Sequence, residues 1–285
     1  REWNKSKREY GCSRRFPSMK VLIIDSYNML HRARYGFGRG DHKVYFNFFR
    51  MLNSEIKRHS PDIVYVVDEG HPTQSVDLQP DYKANRKKLD DPQFDREITE
   101  VFETIKKTSG FVYIQHPDFE CDDVVKRVAT DFHKNDDVTI VSMDTDFIQL
   151  ISGNVKLWNP RKKSFADPWY CDYLTWKALR GDPTDNVPGV PGVGGKTADK
   201  LTVSPTLMNE YLDAKPGRRE AFDTSYAVIK LKDVPDERMH VEQSDFDATQ
   251  LFTEFSNREF KSIIGKAWAG WEQRFSESGG KYVAR

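Results

Sequence analysis

The chain has 285 residues, 38% of them hydrophobic and 31% charged, and its 44 basic residues balance 44 acidic ones. That length suffices for one large domain or two small ones, and the zero net charge excludes a simple basic nucleic-acid binder, so the placement of the charges is what informs. No apolar run approaches the roughly 20 residues of a membrane span, the basic start lacks the apolar centre of a secretory signal, and Cys12, Cys121 and Cys171 form no Cys-x-x-Cys pair. A cytoplasmic monomer with neither a zinc site nor a disulfide framework is the expectation.

Residues 1–18 are polar, basic and aperiodic, which predicts a flexible extension. Val21-Leu22-Ile23-Ile24 is a short apolar run of the kind that forms a strand buried on both faces. The spacing over 44–59 predicts an amphipathic helix, 63–67 a second strand, and the charged stretch 81–91 leads through Pro92 into a helix ending near 108. A strand at 111–114, a helix over 122–133 and a strand at 138–141 follow, then a small hairpin of 155–158 with 163–165. Beyond 168 the pattern is mostly helical, broken by the Pro/Gly-rich segment 188–195. Strands alternating with helices predict an α/β fold with a mainly parallel central sheet flanked by helices, whose ligands bind at the carboxyl ends of the strands.

Asp25 follows the first strand, Asp68 the second, and Asp144 and Asp146 the strand ending near Ser142. Glu120, Asp122 and Asp123 open the helix after a further strand, which puts them on the same edge. Singly, such acids are commonly helix caps or first-turn residues that suit the helix dipole. Together they are costly, since two carboxylates about 4 Å apart repel by roughly 4 kcal/mol at an effective dielectric near 20. An oxygen-only set without His or Cys favours hard ions such as Mg²⁺ or Mn²⁺, and a pair of ions is the arrangement used for phosphodiester cleavage.

Ile23-Ile24-Asp25-Ser26-Tyr27-Asn28, Val66-Val67-Asp68-Glu69-Gly70, Tyr82-Lys83-Ala84-Asn85-Arg86, Glu120-Cys121-Asp122-Asp123, Asp144-Thr145-Asp146 and Gly181-Asp182-Pro183-Thr184-Asp185-Asn186, followed by the Gly/Pro-rich stretch 187–198, resemble in their order the 5′-nuclease superfamily. That superfamily comprises flap endonucleases, the 5′-nuclease domain of bacterial DNA polymerase I and phage 5′ exonucleases. The similarity runs from about 20 to about 201, and residues 157–165 look closest to the phage-encoded replication nucleases. The resemblance implies a PIN-like core over 19–178 with a helical arch near 80–106, a helix–three-turn–helix region over 179–235 and a C-terminal helical region over 236–285. It implies that Asp25, Asp68, Glu120, Asp122 and Asp144 hold a first Mg²⁺, that Asp146, Asp182 and Asp185 serve a second, and that Asp123 contributes to either.

The basic residues suit a phosphate substrate. On a helix Lys83 and Arg86 would be i, i+3 neighbours able to grip the scissile phosphate together, with Tyr82 stacking on an adjacent base. Arg32, one turn after Asn28, is a further phosphate contact. Gly195-Lys196-Thr197 resembles the end of a P-loop, but the first glycine would have to be residue 190, which is Val190. Gly192, Gly194, Gly195, Lys196 and Thr197 instead make a tight hairpin before a helix start, a site for a phosphate without base information; the family module of this kind grips the downstream duplex and often a K⁺ ion. The expected substrate is nicked or branched DNA with a 5′ flap, or RNA–DNA, with replication proteins such as a single-strand-binding protein as further partners. A PIN-like endoribonuclease is the second reading, opposed by the 187–198 module. A catalytically silent DNA-structure binder is the third, opposed by the complete set of acids.

Overall fold

The computed structural model describes residues 18–38, 40–86 and 90–282; the predicted extension, apart from Ser18, and Lys87 and Lys88 of the basic run lie outside them. Seven strands form one sheet: β1 (Lys20–Asp25), β2 (Ile63–Val67), β3 (Val112–Gln115), β4 (Asp137–Val141), β5 (Val155–Asn159), β6 (Ser164–Phe165) and β7 (His240–Glu242). Their order is β6-β5-β4-β1-β2-β3-β7, with β1 to β5 mutually parallel and the edge strands β6 and β7 antiparallel. The helices are α1 (Ser26–Arg34), α2 (Lys43–His59), α3 (Thr73–Leu78), α4 (Pro92–Thr108), α5 (Cys121–Arg127), α6 (Tyr173–Arg180), α7 (Gly195–Thr202), α8 (Pro205–Asp213), α9 (Arg218–Ile229), α10 (Ala248–Asn257), α11 (Lys261–Ile264) and α12 (Trp268–Glu277).

The unbroken apolar character of β1 follows from its double burial. Leu22 and Ile24 face a core shared with α1, α2, α4, α10 and α12, while Val21 and Ile23 face a second core under α5. The chain runs from β1 outward to β2 and β3, then returns to β4 on the other side of β1, so the strand order reverses between β1 and β4. A ligand crevice is expected at that switch point. Asp25 closes β1 there, and Asp144 follows β4.

Three sequence readings need correction. The helix predicted over 122–133 is α5 followed by a single π-helical turn, Val128–Phe132. More consequentially, residues 81–86 form successive turns, not a helix, and Lys83 adopts a left-handed φ of 57°. Tertiary hydrogen bonds outcompete the helix: Lys83 N–H donates to the Asp185 carbonyl at 3.0 Å, Gln79 Nε2 to the Asn186 carbonyl at 2.6 Å, Asn186 Nδ2 to the Asp81 carbonyl at 2.8 Å and Asn85 Nδ2 to the Pro183 carbonyl at 2.9 Å. Among the described residues, only α4 continues this region as a helix. It starts on Asp91, whose side chain accepts from Phe94 N–H, and it buries Phe94, Val101, Phe102 and Ile105. Strand β7 falls where a helical pattern is expected; its alternation, with Val241 packed on the second core, spans only three residues, too short to give a strand signal.

Past the sheet, α6 to α9 build a smaller cluster around Leu179, Val190, Val193, Ala198, Leu201 and Leu212. Its entry depends on Gly181 and Gly189, both at positive φ, whose backbones touch: a Cβ on Gly189 would lie 2.4 Å from the Gly181 nitrogen.

Candidate metal and nucleic-acid site

Two groups of carboxylates meet at the switch point. Glu120, Asp122 and Asp123, at the start of α5, have oxygens within 4.8 Å of one another, and so do Asp146, Asp182 and Asp185. One cavity is lined by all six together with Tyr82. The adjoining cleft shares Glu120 and Asp122 and adds Asp25, Asn28, His31, Glu69, Lys83, Arg86 and Asp144.

Each acid is placed by local structure. Asp25 caps α1, accepting from Asn28 N–H at 3.1 Å, and its other oxygen accepts from Ser142 Oγ at 2.6 Å, which ties β1 to the end of β4. Asp144 accepts from Asp146 N–H at 2.8 Å, so the two acids belong to one turn. Asp182 accepts from Thr184 N–H at 2.9 Å as the cap of a short 3₁₀ turn, Pro183–Asp185. Asp123 accepts from the backbone N–H of Lys232 at 2.6 Å.

Crowding shows in the proton affinities. Burial raises Asp25 to about 6 against the lowering effect of Ser142, and burial with the charges of Glu120 and Asp25, partly offset by Lys83, raises Glu69 to about 7. Burial lifts Asp122 well above the carboxylate range, with Asp123 and Glu120 adding to it. Asp123 and Asp146 rise to about 6 for the same first reason, partly offset by Lys232 and Lys177 respectively. Asp182 lies below its ordinary value because the ion pair with Lys177 outweighs burial. An all-oxygen set that resists its own ionisation fits hard divalent cations.

Protein cations answer the acids. Lys83 Nζ contacts Glu120 Oε1, and the Tyr82 hydroxyl donates to Glu120 Oε2 at 3.0 Å. Lys83 also lies 4.9 Å over the Tyr82 ring. Arg86 pairs with Asp185 from a side chain half exposed to water. Lys177, buried on α6, contacts Asp146 and pairs with Asp182 at 2.7 Å. Burial opposes the charge on Lys83 and on Lys177, yet the surrounding carboxylates win and both are held charged, above the usual lysine range.

Asp68 and Arg32 stand apart from this assembly. The Asp68 carboxylate accepts from Tyr113 Oη at 2.6 Å and does not line the cleft; its neighbour Glu69 does. Arg32 is likewise absent from the cleft lining, and the charges nearest in effect are Glu55 and Arg161. Sequence reasoning missed Glu69 and Lys177. Glu69 had a signal, being the second acid of a pair at a strand end, where successive side chains point opposite ways. Lys177 had a weaker one, a lone cation between the apolar Trp176 and Ala178. Of the hairpin residues, Gly192 takes φ 80°, and Gly194 is the N-cap of α7 with no side chain bonding to the first N–H groups. Gly194 and Gly195 have open space where a Cβ would be, Lys196 is exposed and Thr197 half-buried. That leaves backbone donors facing outward.

The T5 D15 protein, co-crystallised with metal ions, shares this architecture with a TM-score of 0.61 at 18% identity, covering 90% of this chain and 97% of that one. The catalytic core of Rad2 in complex with DNA substrate does so with a TM-score of 0.56 at 12% identity, covering 90% of each chain. The sheet, the acid-lined crevice and the glycine-joined helices together define a protein of the 5′-nuclease fold class. A model of the 5′-3′ exonuclease N-terminal resolvase-like domain matches residues 20–172. A 5′-3′ exonuclease of Aquifex aeolicus is 32% identical over 284 residues, spanning 86% of this chain and 94% of that protein. The chain belongs to the 5′-3′ exonuclease family. A thermostable DNA polymerase I of Thermus thermophilus is 28% identical over 234 residues, which are 75% of this chain and 28% of the polymerase.

The raised carboxylates carry a prediction about stability. Their folded pKa values, about 6 for Asp25, Asp123 and Asp146 against 3.8 ordinarily, mean that the folded state holds more protons than the unfolded one between those values. Metal-free stability therefore falls as pH rises through that window. A divalent ion that binds only the folded site cancels the repulsion, adding about 2.7 kcal/mol at 100 times its dissociation constant. The melting-temperature gain with Mg²⁺, measured by calorimetry, is expected to be larger at about pH 8 than at about pH 5. An equal gain at both would separate the ion from these acids.

Proposed function

We propose that the protein is a structure-specific 5′ nuclease that hydrolyses phosphodiester bonds near the 5′ ends or flaps of DNA, or of RNA paired with DNA, using two Mg²⁺ ions that Mn²⁺ can replace. One observation carries the reading: both three-carboxylate groups line one cavity, within reach of Lys83 and Arg86. Glu120, Asp122, Asp123, Asp25 and Asp144 would hold one ion and Asp146, Asp182 and Asp185 the other, with Glu69 more suitably placed than Asp68. Bound ions of this kind supply an acidified water and stabilise the leaving oxygen.

The chain's own residues do the rest. Lys83 and Arg86 bring positive charge to the non-bridging phosphate oxygens, where charge grows in the transition state. Tyr82, whose hydroxyl is anchored on Glu120, carries the Lys83 ammonium over its ring and so steadies it beside the cut. Lys177 keeps Asp182 ionised and partly offsets the burial of Asp146. The open N–H groups at the start of α7, with Lys196, hold a duplex phosphate without reading bases, and the hairpin 188–197 is the place for a K⁺ ion.

The decisive experiment incubates 5′-labelled flap, nicked and RNA–DNA substrates with Mg²⁺ and maps product lengths. Short products from the 5′ side that disappear with EDTA are expected. Intact substrates with both Mg²⁺ and Mn²⁺ would leave the silent-binder reading standing, and cleavage of single-stranded RNA alone would favour the endoribonuclease. Exchanging Lys196 for Ala is expected to weaken duplex binding about equally for all sequences and to reduce the salt slope by about 1. Sequence-selective loss in a binding titration would contradict the phosphate role.

A further inference from the structure

Helix α6 serves two neighbours. On one side Lys177 holds Asp146 and Asp182, and Tyr173 lies within electrostatic reach of Asp144 and Asp146. On another, Trp176 and Leu179 pack with Ala198 and Leu201 of α7. The same short helix thus connects the acids to the element whose exposed start carries Lys196.

Apolar contact alone would hold α7 loosely in rotation and slide, because it is non-directional and Ala198 presents little relief. Asp199 supplies direction. Its Oδ1 accepts from the Trp176 indole N–H at 2.7 Å and from the Tyr170 hydroxyl, one carboxylate oxygen bridging two donors. Those donors belong to a ring cluster that reaches the metal side: Trp169 lies 5.0 Å from Trp176 and 5.4 Å from Tyr173, and Tyr173 stacks on Trp176 at 6.3 Å. The two bonds hold Asp199 below its ordinary pKa, so it is ionised. A negative charge one turn after Lys196 opposes phosphate binding, which makes a solvated acid an unfavourable choice there. Bonded inward, it costs the surface less and locks the helix.

We propose that Asp199 is a positioning residue: by tying α7 to Trp176 and Tyr170 it sets the register between the phosphate-binding start of α7 and the metal acids, and so selects which phosphate of a bound strand is cut. The inference rests on the nuclease reading and goes beyond it to the choice of cutting site.

The test maps single-turnover products of wild type, Asp199→Asn, Asp199→Ala and Tyr170→Phe on one flap substrate labelled at either end. Asn keeps an acceptor oxygen and is expected to cut where the wild type does. Asp199→Ala is expected to spread the cut over neighbouring phosphates and to lower the rate at the main position by about tenfold to a hundredfold, the scale of a misplacement near 1 Å. Tyr170, 63% exposed, tolerates loss of its hydroxyl without a folding penalty, so Tyr170→Phe gives the same spread in weaker form even where the Ala variant is unstable. Unchanged cut positions in both variants, whatever their melting temperatures, overturn the proposal. A wild type that cuts none of the substrates overturns the nuclease reading and this one with it, a different and recognisable outcome.

Discussion

Asp122→Asn is expected to lower single-turnover cleavage on the order of 10³-fold while raising the melting temperature of the metal-free protein. The two effects have one cause. Asp122 sits between Glu120 and Asp123 with oxygens mutually within 4.8 Å, and burial together with those charges pushes its pKa far up. Without metal, the folded site must either hold a crowded charge or take up a proton there, and Asn keeps the shape while removing that cost. Relief of about 1–2 kcal/mol, on the scale of charge pairs at moderate effective dielectric, corresponds to a rise of roughly 2–8 °C for a chain of this size. With metal, the same substitution deletes a ligand, and the Mg²⁺-dependent gain in melting temperature shrinks. A fall in metal-free stability with activity within tenfold of wild type would mean that the acids are structural. The opposite signs are what a purely structural role cannot produce.

Lys83→Ala is expected to reduce the chemical rate by about 10²-fold, the scale of one lost electrostatic stabiliser, with DNA affinity changed much less. Lys83 is held at the site before any substrate arrives, between Glu120 and the Tyr82 ring, at a left-handed backbone position fixed by the Asp185 carbonyl. Its ammonium needs no large search to meet a phosphate beside Glu120, so its contribution falls on the transition state and not on capture. Arg86, half exposed and paired with Asp185, gives a weaker surface contact and its loss should cost less. Quench-flow rates under single turnover decide the matter: a Lys83→Ala rate equal to wild type, or a parallel loss in affinity, would assign Lys83 to binding.

The loop that carries Lys83 shows where sequence reading stops. A basic run with Lys83 and Arg86 three apart looks helical by spacing, yet residues 81–86 are turns because four hydrogen bonds to the 183–186 segment, about a hundred residues away, are worth more than local helix bonds. The two cations still reach the acids, by a different route from the one their spacing suggested. Asp68 and Glu69 make the same point at one strand end. Both are acids in the right place, but Tyr113, on the neighbouring strand β3, takes Asp68 by its hydroxyl and leaves Glu69 on the cleft.

The frame is legible in the residues alone: short apolar runs alternating with helical periodicity dictate a buried parallel sheet, and acids directly after those runs must then share its carboxyl edge. Local chemistry suffices for that, because strand burial and helix capping depend on near neighbours. Which acids face one another, the burial of Lys177 between Asp146 and Asp182, and the bonds of Asp199 to Trp176 and Tyr170 came only with the folded chain. Those outcomes depend on contacts between segments distant in the chain, and a residue type or its spacing carries no record of the partner that folding will bring.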